Sequence, residues 1–207
     1  AARLVVREGD CRLRWQERGL ELNGKLAIGP AGSVTIRFSS PTPPSLEAPL
    51  TGDFAATLTD VDLKGLKPFL PERFRPDGVL SGSLEGKILP QRRFVMNGRA
   101  RVAQGVWTVV GPKGALEFSL ARLQAAWNWG EDMLQGNLEG ELTGAGRMQT
   151  SFRLPVVNRF PLQVDKQRTV HASLKGELRE TGLLSSLFPG MVRETQGNLA
   201  ADLAVSG

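Results

Sequence analysis

The sequence predicts an all-β protein: one elongated, curled and mainly antiparallel sheet with an apolar concave groove and two short helices. Three observations predict this fold class. Apolar and polar residues alternate along almost all of the 207-residue chain, as they do in strands with one buried and one solvated face. The 24 glycines and 13 prolines supply frequent turns. The apolar fraction of 41% can support a substantial buried surface.

The N-terminal part of the chain predicts four strands in succession. Short turns such as "GPAG" separate the strands and favour a meander of hairpins. The proline-rich stretch at 39–50 is predicted to be a long loop within a single domain covering 1–207, because the alternation resumes directly after it. The residues that define these strands are Cys11, Leu13 and Trp15; Leu20, Leu22, Leu26 and Ile28; Val34, Ile36 and Phe38; and Phe54, Ala56 and Leu58.

One short stretch occurs twice in similar form. "LSGSLEGKI" begins at Leu80, and "LQGNLEGEL" begins at Leu134. Successive strand side chains point to opposite sides, so the leucines and glycines share one face and the polar residues share the other. Glycines on the apolar face let a long strand bend and leave open space beside it, which favours a trough-shaped sheet. A β-sandwich with glycines at bulges is the alternative.

Further strands and two helices complete the predicted sheet. The strands comprise Phe94 to Val102, Leu116 to Leu120, Leu123 to Trp129, Met148 to Leu154, Ala172 to Leu178 and Leu199 to Val205. Two interruptions, "DLKGLKPFLP" and "TGLLSSLFP", space their apolar residues by three and four and end at proline. This spacing predicts short helices at Leu63 to Leu70 and Leu183 to Phe188. Because such short helices are unstable alone, they should pack on the groove through Leu66, Phe69, Leu184 and Phe188.

The reactive residues indicate no catalytic site, metal site or cofactor. His171 has no cysteine or acidic residue beside it, and Cys11 alternates with apolar residues, which predicts a small buried thiol. The carboxylates of Glu85, Glu139 and Glu141 fall on the solvated face. No set of residues combines a nucleophile, a base and an orienting group, so the chain is not expected to be an enzyme. Dispersed basic residues and the absence of tyrosine argue against nucleic-acid binding.

A continuous apolar groove is suited to an acyl chain. Removing a sixteen-carbon chain from water is worth about 12 kcal/mol at roughly 0.8 kcal/mol per methylene, so a lipid that leaves a bilayer needs apolar cover along its path. The residues expected to line the groove and contact lipid are Leu80, Leu84, Ile88, Phe94, Met96, Leu134, Leu138, Leu142 and Phe152.

Three stretches resemble the conserved C-terminal region of the translocation and assembly module TamB family, within the AsmA-like group. They are "LTDVDLKGLKPFLPERFRPDGVLSGSLEG", "LQAAWNWGEDMLQGNLEGELTG" and "LKGELRETGLLSSLFPGMVRETQGNLAADLAVSG". The resemblance implies a taco-like sheet in the periplasm of a diderm bacterium, within a protein anchored in the inner membrane. It further implies movement of phospholipid between the inner and outer membranes and an Omp85-type outer-membrane partner similar to TamA. The family has no catalytic residues to carry over.

A second function stays open beside lipid transfer. The groove or an exposed sheet edge would also suit a scaffold or chaperone for outer-membrane protein assembly, which receives unfolded β-strands by β-augmentation. Co-purified lipid would favour lipid transfer, and a strand bound at the sheet edge would favour the scaffold. The chain starts and stops within strand patterns, so we expect it to be a segment of a longer protein.

Overall fold

The computed structural model describes residues 6–16, 19–42, 51–64, 74–111, 114–130, 132–144, 146–158, 163–164, 167–181 and 196–206. Strands dominate these ranges. They are β1 (Val6–Gln16), β2 (Gly19–Ile28), β3 (Gly32–Ser40), β4 (Gly52–Asp62), β5 (Phe74–Pro76), β6 (Val79–Leu89), β7 (Arg93–Gly111), β8 (Gly114–Gly130), β9 (Met133–Leu142), β10 (Gly146–Leu154), β11 (Val156–Val157), β12 (Gln163–Val164), β13 (His171–Thr181) and β14 (Gln196–Ser206).

Twelve of these strands form one antiparallel sheet that is not closed. Eleven lie side by side in the order β1-β2-β3-β4-β6-β7-β8-β9-β10-β13-β14, and β5 pairs with the distal part of β7. The short strands β11 and β12 form a separate two-stranded ribbon. Strands that follow one another in sequence are mostly neighbours in the sheet, because short turns join them as hairpins. The predicted all-β class and antiparallel pairing are therefore confirmed.

Three strands carry an irregularity near the same end of the sheet. The β4–β6 register shifts between Leu58 and Val61, where Asp60 has a φ of 51°. The β8–β9 register shifts between Leu120 and Arg122, and in β7 Gln104 has a φ of 50°. A bulge adds one residue to a strand, so the apolar positions change from even to odd numbers while staying on one side of the sheet.

The bulge in β8 corrects one prediction from the sequence. The stretches Leu116 to Leu120 and Leu123 to Trp129 were expected to be separate strands because the alternation changes parity between them. They belong to one continuous strand, β8, whose pairing with β7 runs from Gly114 to Trp129. The prediction is wrong because a change of parity marks either a turn or a bulge, and the sequence pattern does not distinguish them.

The predicted helices fall almost entirely outside the described residues. Of the segment from Leu63 to Leu70 only Leu63 and Lys64 are described, and the whole segment from Leu183 to Phe188 lies outside. The expected packing of Leu66, Phe69, Leu184 and Phe188 lies outside as well. The described ranges contain no helix that is long and apolar enough to cross a membrane.

A small apolar cluster occupies the sheet end that carries the bulges. Its buried members are Leu63, Val102, Leu120 and Leu142, against which Leu80, Trp107 and Leu123 pack. The backbone N–H of Leu63 donates to the carbonyl oxygen of Gly78 at 3.0 Å, which holds the chain after β4 over the sheet. Full burial of a leucine or valine side chain is worth about 1.5–3 kcal/mol, so this cluster anchors the strand ends.

The contacts among the described strands are those of a single layer. Extensive contacts among the described elements join strands that are neighbours in a sheet, apart from a small contact of β11 with β9. The described strands therefore do not form the second packed layer that a β-sandwich requires.

Candidate apolar binding face

One side of the sheet, termed the apolar face, carries apolar residues and glycines in rows that cross the strands. Cross-strand register connects neighbouring strands position by position, so each row can be followed from β1 to β14. The longest row passes through Cys11, Gly24, Ile36, Ala56, Leu84, Gly98, Trp127, Gly136, Phe152, Ala172 and Val205. Eleven strands at about 4.8 Å spacing make this row roughly 48 Å long.

All nine residues predicted to line a groove lie on the apolar face. Leu84 is in register with Ala56 and Gly98, Leu138 is in register with Ala125 and Thr150, and the others occupy equivalent positions. Seven are partly exposed, namely Leu80, Leu84, Ile88, Met96, Leu134, Leu138 and Phe152. The sequence pattern thus placed these residues on a common surface, because strand side chains alternate with a period of two.

Phe94 and Leu142 are more buried than the other predicted residues. Phe94 is 4% exposed and Leu142 is 5% exposed. The ring of Phe94 meets the indole of Trp129 edge to face, with centroids 4.9 Å apart, and Leu142 belongs to the buried cluster with Leu63. These two residues therefore anchor the rim of the apolar face, and the partly exposed residues form its accessible surface.

Aromatic rings cover several glycines of the apolar face. A Cβ added to Gly86 would lie 2.7 Å from Cζ of Phe54, and one added to Gly136 would lie 2.9 Å from Cζ of Phe152. Trp127 covers Gly98 in the same way. The expectation that these glycines leave open space is wrong, because a ring on the next strand fills the missing side-chain volume. Gly24 differs, since its nearest atom is the carbonyl oxygen of Asp10 at 3.9 Å.

Residues 155–158, termed the strap, cross one end of the apolar face after β10. The indole N–H of Trp129 donates to the carbonyl oxygen of Val156 at 2.9 Å. Asn158 is fully buried, and its side-chain amide donates to the carbonyl oxygen of Phe94 at 2.7 Å. The backbone N–H of Phe94 returns a bond of 3.0 Å to the carbonyl oxygen of Asn158. The strap is therefore tied to β7 and β8 through backbone and side-chain groups.

The opposite side of the sheet carries polar residues that pair across the strands. Arg99 donates through Nε to Ser83 Oγ at 3.0 Å, and Lys87 meets Asp53 at 3.3 Å. Similar pairs join Asn97 to Asn128, Ser151 to Ser173, Arg122 to Glu141 and Lys175 to Asp202. Exposed ion pairs contribute only about 0–1 kcal/mol each. Their main effect is on register, because a slip by one residue would move these charges onto the apolar face.

Lys64 and Asp77 form the one ion pair with a resolved pKa effect among the described residues. The Nζ atom lies 3.0 Å from Oδ2 of Asp77. The side-chain hydrogen bond to Asp77, followed by the negative charge of that carboxylate, raises the pKa of Lys64 above its ordinary value of 10.5. The side chain of Lys64 is 66% exposed and that of Asp77 is 48% exposed. The pair therefore links the chain after β4 to the β5–β6 connection at the surface and does not form a buried site.

The described residues hold no group of three or more histidine, cysteine or acidic side chains arranged to bind a metal. The concavities on the sheet include three lined mainly by residues of the polar side. One carries side chains of both charges, among them Arg122, Glu139 and Lys175. In another, the hydroxyls of Ser151 and Ser173 bond each other at 2.7 Å. The apolar face is consequently the surface with the most distinctive chemistry in the described part of the chain.

The alternation of Trp127 with Trp129 indicated core or groove lining, and both lie on the apolar face with the nine predicted residues. Phe54, which alternates with Ala56 and Leu58, lies there too. Asn158 carried no periodic signal and was not foreseen. Cys11, predicted to be buried, is exposed, because β1 lies at the edge of the sheet and has a neighbour on one side only within the described residues.

Comparison of the chain with protein-family models, with curated proteins and with solved structures finds no match.

Proposed function

We propose that the apolar face binds the acyl chains of phospholipids in transit. The observation that carries the proposal is the continuous row from Cys11 on β1 to Val205 on β14, roughly 48 Å long at normal strand spacing. The hydrocarbon core of a whole bilayer is about 30 Å thick and holds two acyl chains end to end. The row is therefore longer than a single acyl chain. This length suits a surface along which a lipid moves, and it exceeds what a site for one stationary lipid requires.

The exposure of the apolar face supports this proposal. Leu84, Leu138 and Phe152 are only partly buried, although they lie in the middle of the sheet. Leaving such side chains in water is unfavourable by roughly 25 cal/mol per Å² of apolar surface. Large contiguous apolar surfaces on proteins commonly mark binding sites. An acyl chain lying across the strands would cover these side chains, and the acyl chain itself would gain about 0.8 kcal/mol for each buried methylene.

The sheet would shelter lipid most effectively if it curled into the trough expected from the sequence. The bulges near Asp60, Gln104 and Ala121 increase strand twist locally, which favours curling. The strap and the cluster around Leu63 lie at opposite strand ends and narrow the apolar face from both sides. We therefore propose a taco-like groove that runs perpendicular to the strands.

The cellular setting of the proposal comes from the sequence resemblance to the TamB family. In that setting the chain is a segment of a periplasmic protein anchored in the inner membrane, and an Omp85-type protein receives it at the outer membrane. Phospholipid would enter the groove at one membrane and leave at the other. No row places a described charged side chain on the apolar face from β2 to β13. The lipid would therefore meet an uncharged surface along its path between the two membranes.

A photo-crosslinking amino acid at two adjacent positions tests the proposal. Leu84 lies on the apolar face, and Ser83 lies on the polar face beside Arg99. In the full-length protein, a crosslinker at position 84 should capture phospholipid and one at position 83 should not. Mass spectrometry of the adducts identifies what is captured. Because the two positions share one strand and one depth in the sheet, they differ only in the face that they report.

The rival function predicts a different adduct. A scaffold for outer-membrane protein assembly would bind polypeptide strands, and the open sheet edges are suited to β-augmentation. Capture of polypeptide alone at position 84 would support the scaffold and contradict lipid binding. Equal capture of lipid at positions 83 and 84 would also contradict the proposal, since it would indicate non-specific contact with membrane.

A further inference from the structure

The apolar face is not equally accessible on every strand. On β6 the partly exposed residues of the face extend over about 27 Å of strand, and they are Leu80, Gly82, Leu84, Gly86 and Ile88. On β10 the partly exposed residues of the face are Met148, Thr150, Phe152 and Leu154. Strands β7, β8 and β9 lie between β6 and β10, and buried residues interrupt the face on all three. The accessible face is therefore narrower in the middle of the sheet than on either side of it.

Two covers bury the face near opposite ends of these central strands. At one end the strap is bonded to Trp129 and Phe94, which are 8% and 4% exposed. At the other end the cluster around Leu63 includes Val102, which is 5% exposed. Backbone hydrogen bonds made by Leu63 and by Asn158 fasten both covers to the sheet. The narrowing is thus built into the fold on both sides.

Only two cross-strand rows remain accessible on all three of these strands among the described residues. The row through Met96 is interrupted on β8 by the buried Trp129. The row through Leu123 is interrupted on its two sides by Val102 and Gly140, which are both buried. The residues of the two remaining rows are all partly exposed and are termed the constriction. They are Gly98, Trp127 and Gly136 in one row, and Ala100, Ala125 and Leu138 in the other.

The constriction has the width of one acyl chain lying on the sheet. Neighbouring rows are two residues apart, which is about 6.8 Å along a strand. Carbon atoms in contact lie about 3.5–4.0 Å apart, so a hydrocarbon chain midway between the two rows touches both. A second chain beside the first would lie over Trp129 or Val102, where the two covers already are. On β6 the wider accessible surface leaves room for chains side by side.

We propose that acyl chains cross β7, β8 and β9 in single file, with one chain at a time resting on the constriction. Ala100 and Ala125 are in register at its centre, and their small side chains leave it open. The inference rests on the proposed movement of phospholipid along the apolar face and adds the place that limits this movement. A large side chain at either alanine closes the path, because the covers leave no way around it.

Two photo-crosslinking positions on opposite sides of the constriction test the inference. Ile36 lies on β3, and Leu174 lies on β13, both on the apolar face. Cells that make the full-length protein receive a pulse of isotope-labelled glycerol, so newly made phospholipid enters the path from the membrane in which it is made. Mass spectrometry of the adducts measures labelled lipid at each position. Both positions should capture it in the unchanged protein.

A tryptophan in the constriction should block passage without preventing entry. In Ala125→Trp, capture at the position nearer the source of lipid should persist, and capture at the farther position should fall about tenfold, because the overpacked path opposes an acyl chain. Ala100→Leu adds less volume in the same row and should give the same one-sided loss with a smaller amplitude. Ala56→Trp is the matched control, since β4 is accessible on both sides of Ala56, and it should leave both captures unchanged.

Several outcomes would overturn the inference. Unchanged capture at both positions in Ala125→Trp, with the variant folded by circular dichroism, would show that lipid does not have to cross the constriction. An equal one-sided loss in Ala56→Trp would show that bulk anywhere on the face blocks passage. Loss at both positions in Ala100→Leu would indicate impaired entry of lipid. Each of these results leaves lipid binding in place, whereas a lack of labelled lipid at both positions in the unchanged protein would contradict the proposed function itself.

Discussion

Asn158 and Phe94 exchange two hydrogen bonds in opposite directions, although they are far apart in sequence. The side-chain amide of Asn158 donates to the carbonyl oxygen of Phe94 at 2.7 Å, and the backbone N–H of Phe94 donates to the carbonyl oxygen of Asn158 at 3.0 Å. Asn158 therefore bonds both the N–H and the carbonyl oxygen of Phe94 at a buried position, where backbone polar groups need partners.

Removal of the Asn158 amide should destabilise the strap. Asn158→Ala removes the hydrogen bond to the carbonyl oxygen of Phe94, and a hydrogen bond of this kind contributes about 0.5–1.5 kcal/mol. Asn158→Asp should destabilise more at neutral pH, because it places a buried carboxylate against that carbonyl oxygen. The loss should shrink at acidic pH, where the protonated carboxyl can donate. Denaturant unfolding at two pH values measures this, with the exposed substitution Asn137→Asp as control.

A methyl group on a ring-covered glycine should be poorly tolerated. Gly136→Ala brings a Cβ to 2.5 Å from the backbone carbonyl oxygen of Ala126 and to 2.9 Å from Cζ of Phe152, so the strand and the ring must both move. Overpacking of this kind costs about 1–3 kcal/mol of unfolding free energy. Thermal or denaturant unfolding of the variant measures the loss.

Gly24→Ala is the matched control for that substitution, because Gly24 lies in the same cross-strand row but has open space on the apolar face. Alanine lowers the entropy lost on folding, so Gly24→Ala should be neutral or stabilising by up to about 1 kcal/mol. Equal losses for the two variants would show that the close approach of Ala126 and Phe152 to Gly136 is not what limits substitution.

A charge on the apolar face should reduce lipid binding. Leu84→Asp and Leu138→Asp place a carboxylate among apolar neighbours, where an unpaired charge costs several kcal/mol and attracts water. If the apolar face binds lipid as proposed, phospholipid should copurify with the full-length protein, and its amount, quantified by mass spectrometry, should fall severalfold in both variants.

The neighbouring positions on the polar side provide controls for these two substitutions. Ser83→Asp places its carboxylate beside Arg99, and Asn137→Asp faces solvent. Both should retain the lipid content of the unchanged protein. A comparable loss of lipid in all four variants would mean that charge in general, and not charge on the apolar face, interferes with binding.

The ion pair of Lys64 with Asp77 should give a stability contribution that is lost at alkaline pH. The pKa of Lys64 is raised in the folded protein, so the folded state holds this proton more tightly than the unfolded state does. The contribution is complete below 10.5, the ordinary value, and disappears as pH rises through the raised folded value. An NMR titration of the Lys64 side chain should show the raised pKa, and Asp77→Asn should lower it. Asp53→Asn, which removes the partner of Lys87, should leave the Lys64 titration unchanged.

The sequence by itself determined the strands and their faces. Alternation from Leu20 to Ile28, or from Leu134 to Leu142, is a local property of the backbone, because adjacent strand residues point to opposite sides. That property was sufficient to place the nine predicted lining residues on one side of the sheet. The turns at glycine and proline, and hence the antiparallel order of the hairpins, follow from equally local chemistry.

Tertiary structure alone decided which residues meet across the strands. Trp127 covers Gly98, Phe152 covers Gly136, and Asn158 completes the hydrogen bonds of Phe94, and each of these contacts depends on the register between separate segments. The parity change in β8 likewise became a bulge only because β7 and β9 continue on both sides of it. Register depends on the combined fit of many side chains across the sheet, so a period-two pattern identifies a strand but not its neighbours.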